Sequence, residues 1–449
     1  MKLEQGVFFQ QYGDITYLRH VDQRKDYVFG GSAYDVLQYL RIHPGCGLNE
    51  MCRELAELYE LDDLKIFNAD IADFVEQLKN LGILAMPPGP APSDSLREQA
   101  RAACIEQKQL FGLTLEITYR CNERCIHCYV DDDACKDQEL TLAEYRRLLD
   151  EAREMGCMNV LLTGGEVTMR EDFLDIAEYA VNKGYYVDIY TNGLTLRPEQ
   201  IQRMVGLRVN SVSFSLYGSN AEIHDAITRI PGSFERSLKS ALLCKCAGLD
   251  VFIKTVVMQQ NYDALEDLLR LGKLAGISVN TSMVVTASHN GKPADGFRLM
   301  DSEKYQRVTE LAVQYDIVEG GIPCSEGHEP GLCSAGVAGL SIDPFGNVTP
   351  CNAINVSMGN IREKSLAEIR DSAPLLTELS KLTFEQVCPR RGSCTYARWC
   401  AMCIGSAHSE NGGWSPTPDV CLMARGICQA HRSLAGKMNE SICRGCTGS

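Results

Sequence analysis

The sequence lacks any uninterrupted apolar stretch long enough to span a lipid bilayer. Its first residues, Met1-Lys-Leu-Glu-Gln-Gly, also lack the charged segment followed by an apolar stretch that marks an export signal. Both absences argue against a membrane-spanning or secreted class of protein. We therefore expect a cytoplasmic protein with no membrane partner.

Positive charge is also scarce. Lys and Arg number 44 against 59 Asp and Glu, which gives a formal net charge of −15. Nucleic-acid binding relies on basic side chains that neutralise phosphates, so this balance argues against a DNA or RNA partner. The 45% hydrophobic and 23% charged content is ordinary for a soluble globular protein, and 449 residues predict two to four domains.

Cysteine, by contrast, is abundant. The chain has 21 cysteines, and cytoplasmic thiols stay reduced, so a disulfide framework is not expected. Such a load indicates metal or redox ligation instead. The most informative group is Cys121, Cys125 and Cys128, which follows the alternating apolar segment 113–118, a predicted strand.

This group offers three thiolates in one short loop. A [4Fe–4S] cluster normally takes four, so the loop would leave one iron open to a ligand that is not protein. A zinc knuckle is the alternative, but it usually needs a second cysteine pair to complete a tetrahedron. The C-x3-C-x2-C spacing resembles the signature of the radical S-adenosylmethionine (SAM) enzymes. The resemblance implies that the open iron binds the amino and carboxylate groups of SAM, and that one electron splits SAM to give a 5′-deoxyadenosyl radical.

From about 110 to 290, strand-like and helix-like segments alternate. Six βα units of this kind predict an α/β fold, a parallel sheet curved into a partial (β/α)6 TIM barrel with its reactive loops at the carboxyl ends of the strands. A flavodoxin-like doubly wound sheet is the alternative topology. We assign residues 109–310 to this domain.

Polar motifs follow several of the predicted strands. A Gly-Gly-Glu motif, a Thr-Asn-Gly element, and a serine on the fourth strand with an arginine after it resemble the SAM-binding motifs of the radical SAM family in order and spacing. The resemblance implies that the glutamate binds the amino group of SAM, the serine its ribose and the arginine its carboxylate. Tyr217 stands where family members often have aspartate. With the two residues that flank Cys128, the implied SAM-binding residues are His127, Tyr129, Thr163, Gly164, Gly165, Glu166, Asn192, Ser215 and Arg229.

A second set of cysteines lies in residues 311–449, which we assign to a C-terminal domain. Cys333 is followed after twelve intervening residues by Gly346, and Gly346 after four intervening residues by Cys351. These spacings resemble the SPASM domain, whose cysteines hold two auxiliary [4Fe–4S] clusters, although the middle run here reads C-x5-C-x5-C-x2-C. Zinc ribbons are the alternative. The resemblance implies one cluster on Cys333, Cys351 and Cys403, with Cys324 as a candidate fourth ligand, and another on Cys388, Cys394, Cys400 and Cys421.

The start of the chain predicts a separate small domain. Four prolines in residues 86–95 mark a linker, which we extend to residue 108. Before it, residues 1–85 show three short strand-like runs and then three segments with helical periodicity, a unit of winged-helix size. This unit resembles the RiPP recognition element, which captures the leaders of ribosomally synthesised and post-translationally modified peptides (RiPPs).

That resemblance implies that a leader peptide adds to the sheet edge near residues 27–29 and packs on the helix at 63–80. A DNA-reading winged helix has the same elements. Residues 1–85 hold 8 basic and 14 acidic residues, however, and a net charge of 8 − 14 = −6 would repel DNA.

Together the three domains resemble RiPP maturases. We expect an enzyme that installs intramolecular thioether crosslinks from a cysteine sulfur of the peptide to a carbon, as sactipeptide and ranthipeptide synthases do. The implied cofactors are SAM and three [4Fe–4S] clusters. The implied partners are a precursor peptide with a leader and a cysteine-containing core, and a flavodoxin, ferredoxin or reductase as electron donor. If Cys324 does not bind, an open iron of the first auxiliary cluster could hold a substrate thiolate.

Other functions stay open at this point. A carbon–carbon crosslinker or an epimerase of the same class would act on the peptide without using its cysteines. A winged-helix regulator with zinc or redox clusters is the alternative from another class. The sequence names no general base.

Overall fold

The computed structural model describes residues 1, 3–4, 6–43, 46–59, 64–84, 94–107, 109–130, 138–315, 332–400 and 402–434. The N-terminal domain begins with three antiparallel strands in the order β1-β2-β3. They are β1 (Val7–Tyr12), β2 (Ile15–His20) and β3 (Lys25–Gly30), and the helices α1 (Ala33–Ile42), α2 (Leu48–Leu58) and α3 (Leu64–Asn80) follow. The three strands and three helices expected from the sequence are confirmed.

Both faces of this small sheet are buried, because successive side chains of a strand point to opposite faces and apolar residues occur on each. Phe9, Leu18 and Tyr27 pack against the helices of the N-terminal domain. Tyr12 and Tyr17 point to the opposite face, where they pack against the first residues of the next domain. The N-terminal domain is therefore fixed to the rest of the chain by a second apolar layer.

A helix, α4 (Asp94–Glu106), occupies most of the segment that we assigned to a linker. Ala100 and Cys104 of this helix are fully buried beside Tyr12 and Tyr17. The prediction of a linker over 86–108 is thus wrong for residues 94–106, since good helix formers follow the last proline and their apolar side chains meet the sheet. The proline-rich residues 86–93 lie outside the described residues.

The central domain has six parallel strands, and neighbours in the sheet follow each other in the chain. In a doubly wound sheet the strand order would reverse, so the partial barrel is confirmed and the flavodoxin-like alternative is excluded. The strands are β4 (Gly112–Glu116), β5 (Asn159–Thr163), β6 (Tyr186–Thr191), β7 (Ser211–Ser215), β8 (Val251–Val256) and β9 (Ser278–Ser282). The helices are α5 (Leu142–Glu154), α6 (Phe173–Asn182), α7 (Pro198–Leu207), α8 (Ala221–Thr228), α9 (Ser233–Cys246) and α10 (Leu265–Ala275).

The C-terminal domain continues the same sheet. After α11 (Ser302–Gln314), β10 (Gly339–Ile342) pairs in parallel with β4, and β11 (Asn347–Thr349) and β12 (Gly359–Asn360) extend the sheet to nine strands. Gly346 makes the β10–β11 turn with φ of 92°, a backbone conformation that favours glycine. The helices that follow are α12 (Leu366–Ser372), α13 (Pro374–Lys381), α14 (Phe384–Val387), α15 (Ile404–Asn411) and α16 (Pro418–Leu434).

No helix of the described residues is long and apolar enough to cross a membrane. The boundary that we predicted between residues 310 and 311 falls inside α11, which packs along α16 of the C-terminal domain.

Candidate functional site

The carboxyl ends of the barrel strands surround a cavity of about 1300 Å³. Its wall contains the three clustered cysteines and all nine residues that the sequence analysis assigned to SAM binding. Loops at this end of a parallel barrel are where such folds place ligands. The sequence motifs are therefore collected in one site, although their individual roles stay predictions.

The cysteine loop follows β4 and is held by backbone hydrogen bonds to the end of α8. Arg124 N–H donates to Thr228 O at 3.0 Å, and Ile126 N–H donates to Ile227 O at 3.0 Å. Burial raises the pKa of the Cys121 thiol to about 12, and burial together with the charge of Glu123 raises that of Cys125. Without a positive ligand, these thiols are neutral at physiological pH.

Gly164 and Gly165 pack directly on the chain that leads into the cysteine loop. Gly165 N–H donates to Thr118 O at 2.7 Å, and a Cβ on Gly164 would lie 2.2 Å from the same oxygen. A Cβ on Gly165 would lie 2.5 Å from Arg120 O. These glycines thus bring β5 and the cysteine loop into contact, besides lining the cavity.

Glu166 is 1% exposed and its carboxylate is held by neighbouring donors. Oε1 accepts hydrogen bonds from Thr168 Oγ1 at 2.7 Å and Thr191 Oγ1 at 2.6 Å, and Oε2 accepts one from Asn192 N–H at 2.6 Å. Asn192 in turn donates from Nδ2 to Asn122 Oδ1 of the cysteine loop at 2.6 Å. The Gly-Gly-Glu and Thr-Asn-Gly motifs therefore support each other and the loop.

Ser215 ends β7 at the cavity, and the exposed Arg229 lines it from the C-cap of α8 with φ of 59°. Between them the ring of Tyr217 stacks on His224 with centroids 5.7 Å apart and meets the edge of His127 at 4.7 Å. Burial lowers the pKa of His127 to about 4, so its ring is neutral at physiological pH. Tyr217 fills the space between the cysteine loop and α8 by packing.

Glu116, at the end of β4, is a buried carboxyl group behind the cavity wall that the sequence analysis missed. Both of its tyrosine partners line the cavity. Its Oε1 accepts a hydrogen bond from Tyr129 Oη at 2.5 Å and its Oε2 accepts one from Tyr119 Oη at 2.9 Å. Burial raises the pKa of this carboxyl to about 7, and the two tyrosines oppose the rise. The signal in the sequence was a single acid at an inward position of an apolar strand.

A second cavity of about 1510 Å³ fills the interior of the barrel and opens beside the C-terminal domain. Lys254, also missed by the sequence analysis, is the one Lys or Arg in strands β4–β9, all of which are described. The two cavities share the residues Thr114, Leu161, Tyr190, Lys254, Asn280 and Asn352. A substrate inside the barrel would therefore reach the cysteine loop directly.

The described cysteines of the C-terminal domain that the sequence analysis named as cluster ligands lie in two groups. Cys333 and Cys351 line the interior cavity, and burial raises the pKa of both thiols, with the charge of Cys403 contributing to each rise. The second group is Cys388, Cys394, Cys400 and Cys421, whose charges act on one another. The structure brings together the cysteines that the sequence analysis named for each group, except that Cys324 lies outside the described residues. Their roles as cluster ligands stay predictions.

The donor sets fit iron–sulfur clusters. Each group offers three or four cysteine thiols, the ligands that hold [4Fe–4S] clusters in proteins. Beside the cysteine loop, Glu123 Oε1 and His127 Nδ1 are buried with no hydrogen-bond partner among the described residues. Such atoms indicate that a bound group completes the site.

Comparison with known families identifies the two cysteine-bearing domains. Residues 115–272 match the radical SAM superfamily, and residues 333–404 match SPASM, an iron–sulfur cluster-binding domain. SAM and iron–sulfur clusters are therefore the cofactors of these domains.

Three curated proteins illustrate the range of relatives. The AdoMet-dependent heme synthase of Methanosarcina barkeri (strain Fusaro / DSM 804) is 28% identical over 69% of this chain and 96% of its own length. The mycofactocin maturase MftC of Mycolicibacterium smegmatis is 30% identical over 53% of this chain and 63% of its own. The antilisterial bacteriocin subtilosin biosynthesis protein AlbA of Bacillus subtilis is 26% identical over 66% of this chain and 68% of its own.

Among solved structures, Streptococcus suis SuiB bound to the precursor peptide SuiA superposes with a TM-score of 0.64 at 16% identity. The match covers 94% of this chain and 99% of SuiB, so it includes most of the N-terminal domain as well as the barrel. At this identity the likeness shows a shared fold.

Proposed function

We propose, on the premise that the chain belongs to the radical SAM proteins with a SPASM domain, that it modifies a ribosomally made precursor peptide. The modification is an intramolecular thioether between a cysteine sulfur and a carbon of the core peptide. The observation that carries the proposal is the junction of the two cavities: the interior cavity, with Cys333 and Cys351 in its wall, joins the cavity of the three-cysteine loop.

Different residues of the first cavity would bind the cluster and SAM. Cys121, Cys125 and Cys128 would bind a [4Fe–4S] cluster, and Glu166 and Ser215 would position the amino group and ribose of SAM. When bound and reduced, the cluster and SAM together would supply the radical chemistry that removes a hydrogen atom from an unactivated carbon of the peptide. The chain holds that carbon in place and excludes water, as in other cofactor enzymes.

Cys333, Cys351 and Cys403 would hold the first auxiliary cluster. The second would be held by the second cysteine group, which is Cys388, Cys394, Cys400 and Cys421. Three clusters give about twelve iron atoms per chain. If Cys324 leaves one iron of the first auxiliary cluster open, that iron would bind the substrate thiolate and keep it deprotonated, because a cation lowers the pKa of a coordinated thiol. Cys333 and Cys351, two of the residues that would hold this cluster, line the interior cavity where the peptide would lie.

The N-terminal domain would capture the leader. Strand β3 is at the edge of its sheet, and Phe29 of β3 meets Phe74 of α3 edge-on with ring centroids 5.1 Å apart. An added strand along β3 would cover these partly exposed rings. Binding the leader here raises the effective concentration of the core peptide at the barrel.

A relative that aligns over 69% of this chain is a heme synthase, so a tetrapyrrole substrate is the second candidate. The N-terminal domain favours a peptide, because its free sheet edge can bind an extended chain.

Peptide mass after turnover tests the proposal. The reconstituted protein is incubated with SAM, dithionite and the precursor, and the product is treated with iodoacetamide. A thioether makes the peptide lighter by two hydrogen atoms per linkage and protects one cysteine from alkylation. A peptide that is lighter before alkylation but has every cysteine alkylated afterwards would indicate a carbon–carbon crosslink. A peptide of unchanged mass before alkylation would exclude both kinds of crosslink.

A further inference from the structure

The end of the described chain is basic although the whole protein is acidic. Residues 388–434 contain five arginines and two acidic residues, a net charge of 5 − 2 = +3, in a chain with a formal charge of −15. The arginines are Arg390, Arg391, Arg398, Arg425 and Arg432. A positive region of this kind produces a local field that attracts negative partners.

The two acidic residues of this region do not contribute to its surface. Glu410 and Asp419 both pair with Arg298, whose side chain is 1% exposed. The carboxylates are 13% and 7% exposed, so both lie inside the domain and not on its outer surface. The outer surface of residues 388–434 is left with arginine as its charged residue type.

The exposed arginines stand near cysteines of the second group along the chain: Arg390 is two residues after Cys388, and Arg398 is two residues before Cys400. Burial raises the pKa of the Cys421 thiol, and the charge of Arg390 opposes that rise, as Arg391 does for Cys400. Arg425 lies one helical turn after Cys421 on α16 and therefore shares its face. Cys394 and Cys421 are themselves exposed, so this group reaches the protein surface.

Compensation for the negative charge of a cluster is the simpler role for an arginine, and Arg391 fits it. Its side chain is buried, lies 3.7 Å from the ring centroid of Phe384 and donates to Ala397 O at 3.1 Å. Arg390, Arg398 and Arg425 are exposed instead. Exposed side chains gain little stability from a nearby charge, because water screens it. The guanidinium of Arg398 also lies 5.2 Å from the ring centroid of Trp399.

We propose that Arg390, Arg398 and Arg425 form the docking surface for an acidic protein that carries single electrons, such as a flavodoxin. The inference rests on the proposed function, because it assumes that the adjacent cysteine group holds an iron–sulfur cluster. Complexes of this kind are small, short-lived and guided by opposite charge, which matches an arginine rim around a surface redox site. Each encounter oxidises the carrier by one electron and reduces the protein by one.

Charge reversal tests the surface. The reconstituted Arg390→Glu/Arg398→Glu protein is titrated with an oxidised bacterial flavodoxin of net negative charge in a calorimeter, at low and high sodium chloride. We expect affinity at least about tenfold weaker than wild type at low salt, a loss of about 1.4 kcal/mol, and a weaker dependence on salt. The control, Lys239→Glu/Lys245→Glu, changes the net charge equally on the exposed outer face of α9 and should bind as wild type does.

Two further measurements separate this inference from the proposed function. Iron content and dithionite-driven formation of 5′-deoxyadenosine should match wild type in the double variant, while flavodoxin-driven formation falls. Arg425→Glu, one turn from the cysteine on α16, should weaken binding even if the double variant loses iron. Unchanged affinity in both Arg425→Glu and the double variant would overturn the docking surface, and so would an equal loss of affinity in the lysine control. Neither result would affect dithionite-driven turnover, which tests the proposed function separately.

Discussion

Glu116 is a carboxyl group with its polar neighbours already in place. Two tyrosine hydroxyls donate to it, and one of them belongs to the residue directly after Cys128. Burial nevertheless raises its pKa to about 7 from a reference value of 4.5. The folded protein therefore keeps the proton on Glu116 at pH values where the unfolded chain has released it.

This residue predicts a pH dependence of stability. Between about pH 4.5 and 7 the folded state binds one proton more than the unfolded state, so the free energy of unfolding should fall by up to about 1.4 kcal/mol per pH unit as pH rises, and then level off. Glu116→Gln removes this contribution. Urea unfolding of the cluster-free protein at several pH values should therefore give a flatter profile for the variant than for wild type.

Glu222→Gln is the matched control, since Glu222 is exposed on α8. Its profile should run parallel to that of wild type. Parallel profiles for Glu116→Gln as well would mean that Glu116 is charged in the folded protein throughout this range.

The surroundings of Gly164 predict that one added methyl group there strongly lowers the free energy of unfolding. Its φ is 138°, and a Cβ would lie 2.2 Å from a backbone oxygen that cannot move away easily. Gly164→Ala should therefore lower the free energy of unfolding by about 2 kcal/mol or more, measured by urea unfolding. Gly206→Ala in α7 meets no atom within 4 Å and should be neutral or stabilising by up to about 1 kcal/mol. An equal effect of the two substitutions would contradict the close approach.

At the scale of residues, spacing along the chain predicted the site where ligands are close in sequence. Cys121, Cys125 and Cys128 sit in one loop, and the Gly-Gly-Glu motif directly follows a strand. Glu116 and Lys254 could not be found in this way, because one polar residue in a strand shows its role only when the curvature of the sheet turns it inward.

At the scale of elements, alternation of strands and helices predicted the barrel, and in the structure a capping box of Thr141 and Glu144 begins α5. The α4 helix was missed because neighbouring prolines suggested a linker, and its buried face is defined by residues of another domain. Tyr12 Oη donates to Gly156 O at 2.6 Å, and the Arg19 guanidinium lies 3.3 Å from the ring centroid of Tyr186. Contacts between domains are not encoded in local periodicity.

The edge of β3 gives a prediction at this scale. Phe74→Ala removes a partly exposed ring beside the strand edge and should weaken binding of the full-length precursor at least about tenfold, measured by calorimetry. Tyr34→Ala, which removes a similar ring that packs on Phe9 of β1 at the other edge, is the control and should bind as wild type does. Equal losses in both variants would indicate general damage to the domain.

At the scale of the whole molecule, the N-terminal domain and the cysteine loop lie at opposite ends of the barrel. The sheet of the N-terminal domain packs on Phe111, Met158 and Tyr186, at or just before the first residues of their strands. The cysteine loop follows the last residue of β4. A leader held at β3 and a core peptide in the barrel are therefore joined by a segment that has to pass along the barrel, so we expect modification to depend on the spacing between them.

The central claim is that the Cys121, Cys125 and Cys128 loop holds a cluster that cleaves SAM. The most direct measurement is 5′-deoxyadenosine formed from SAM by anaerobically reconstituted, dithionite-reduced protein. Wild type and Cys246→Ala, which changes an exposed cysteine of α9, should form it, and Cys125→Ala should form none above the background of dithionite and SAM alone. No product from wild type, or equal product from Cys125→Ala, would contradict the claim.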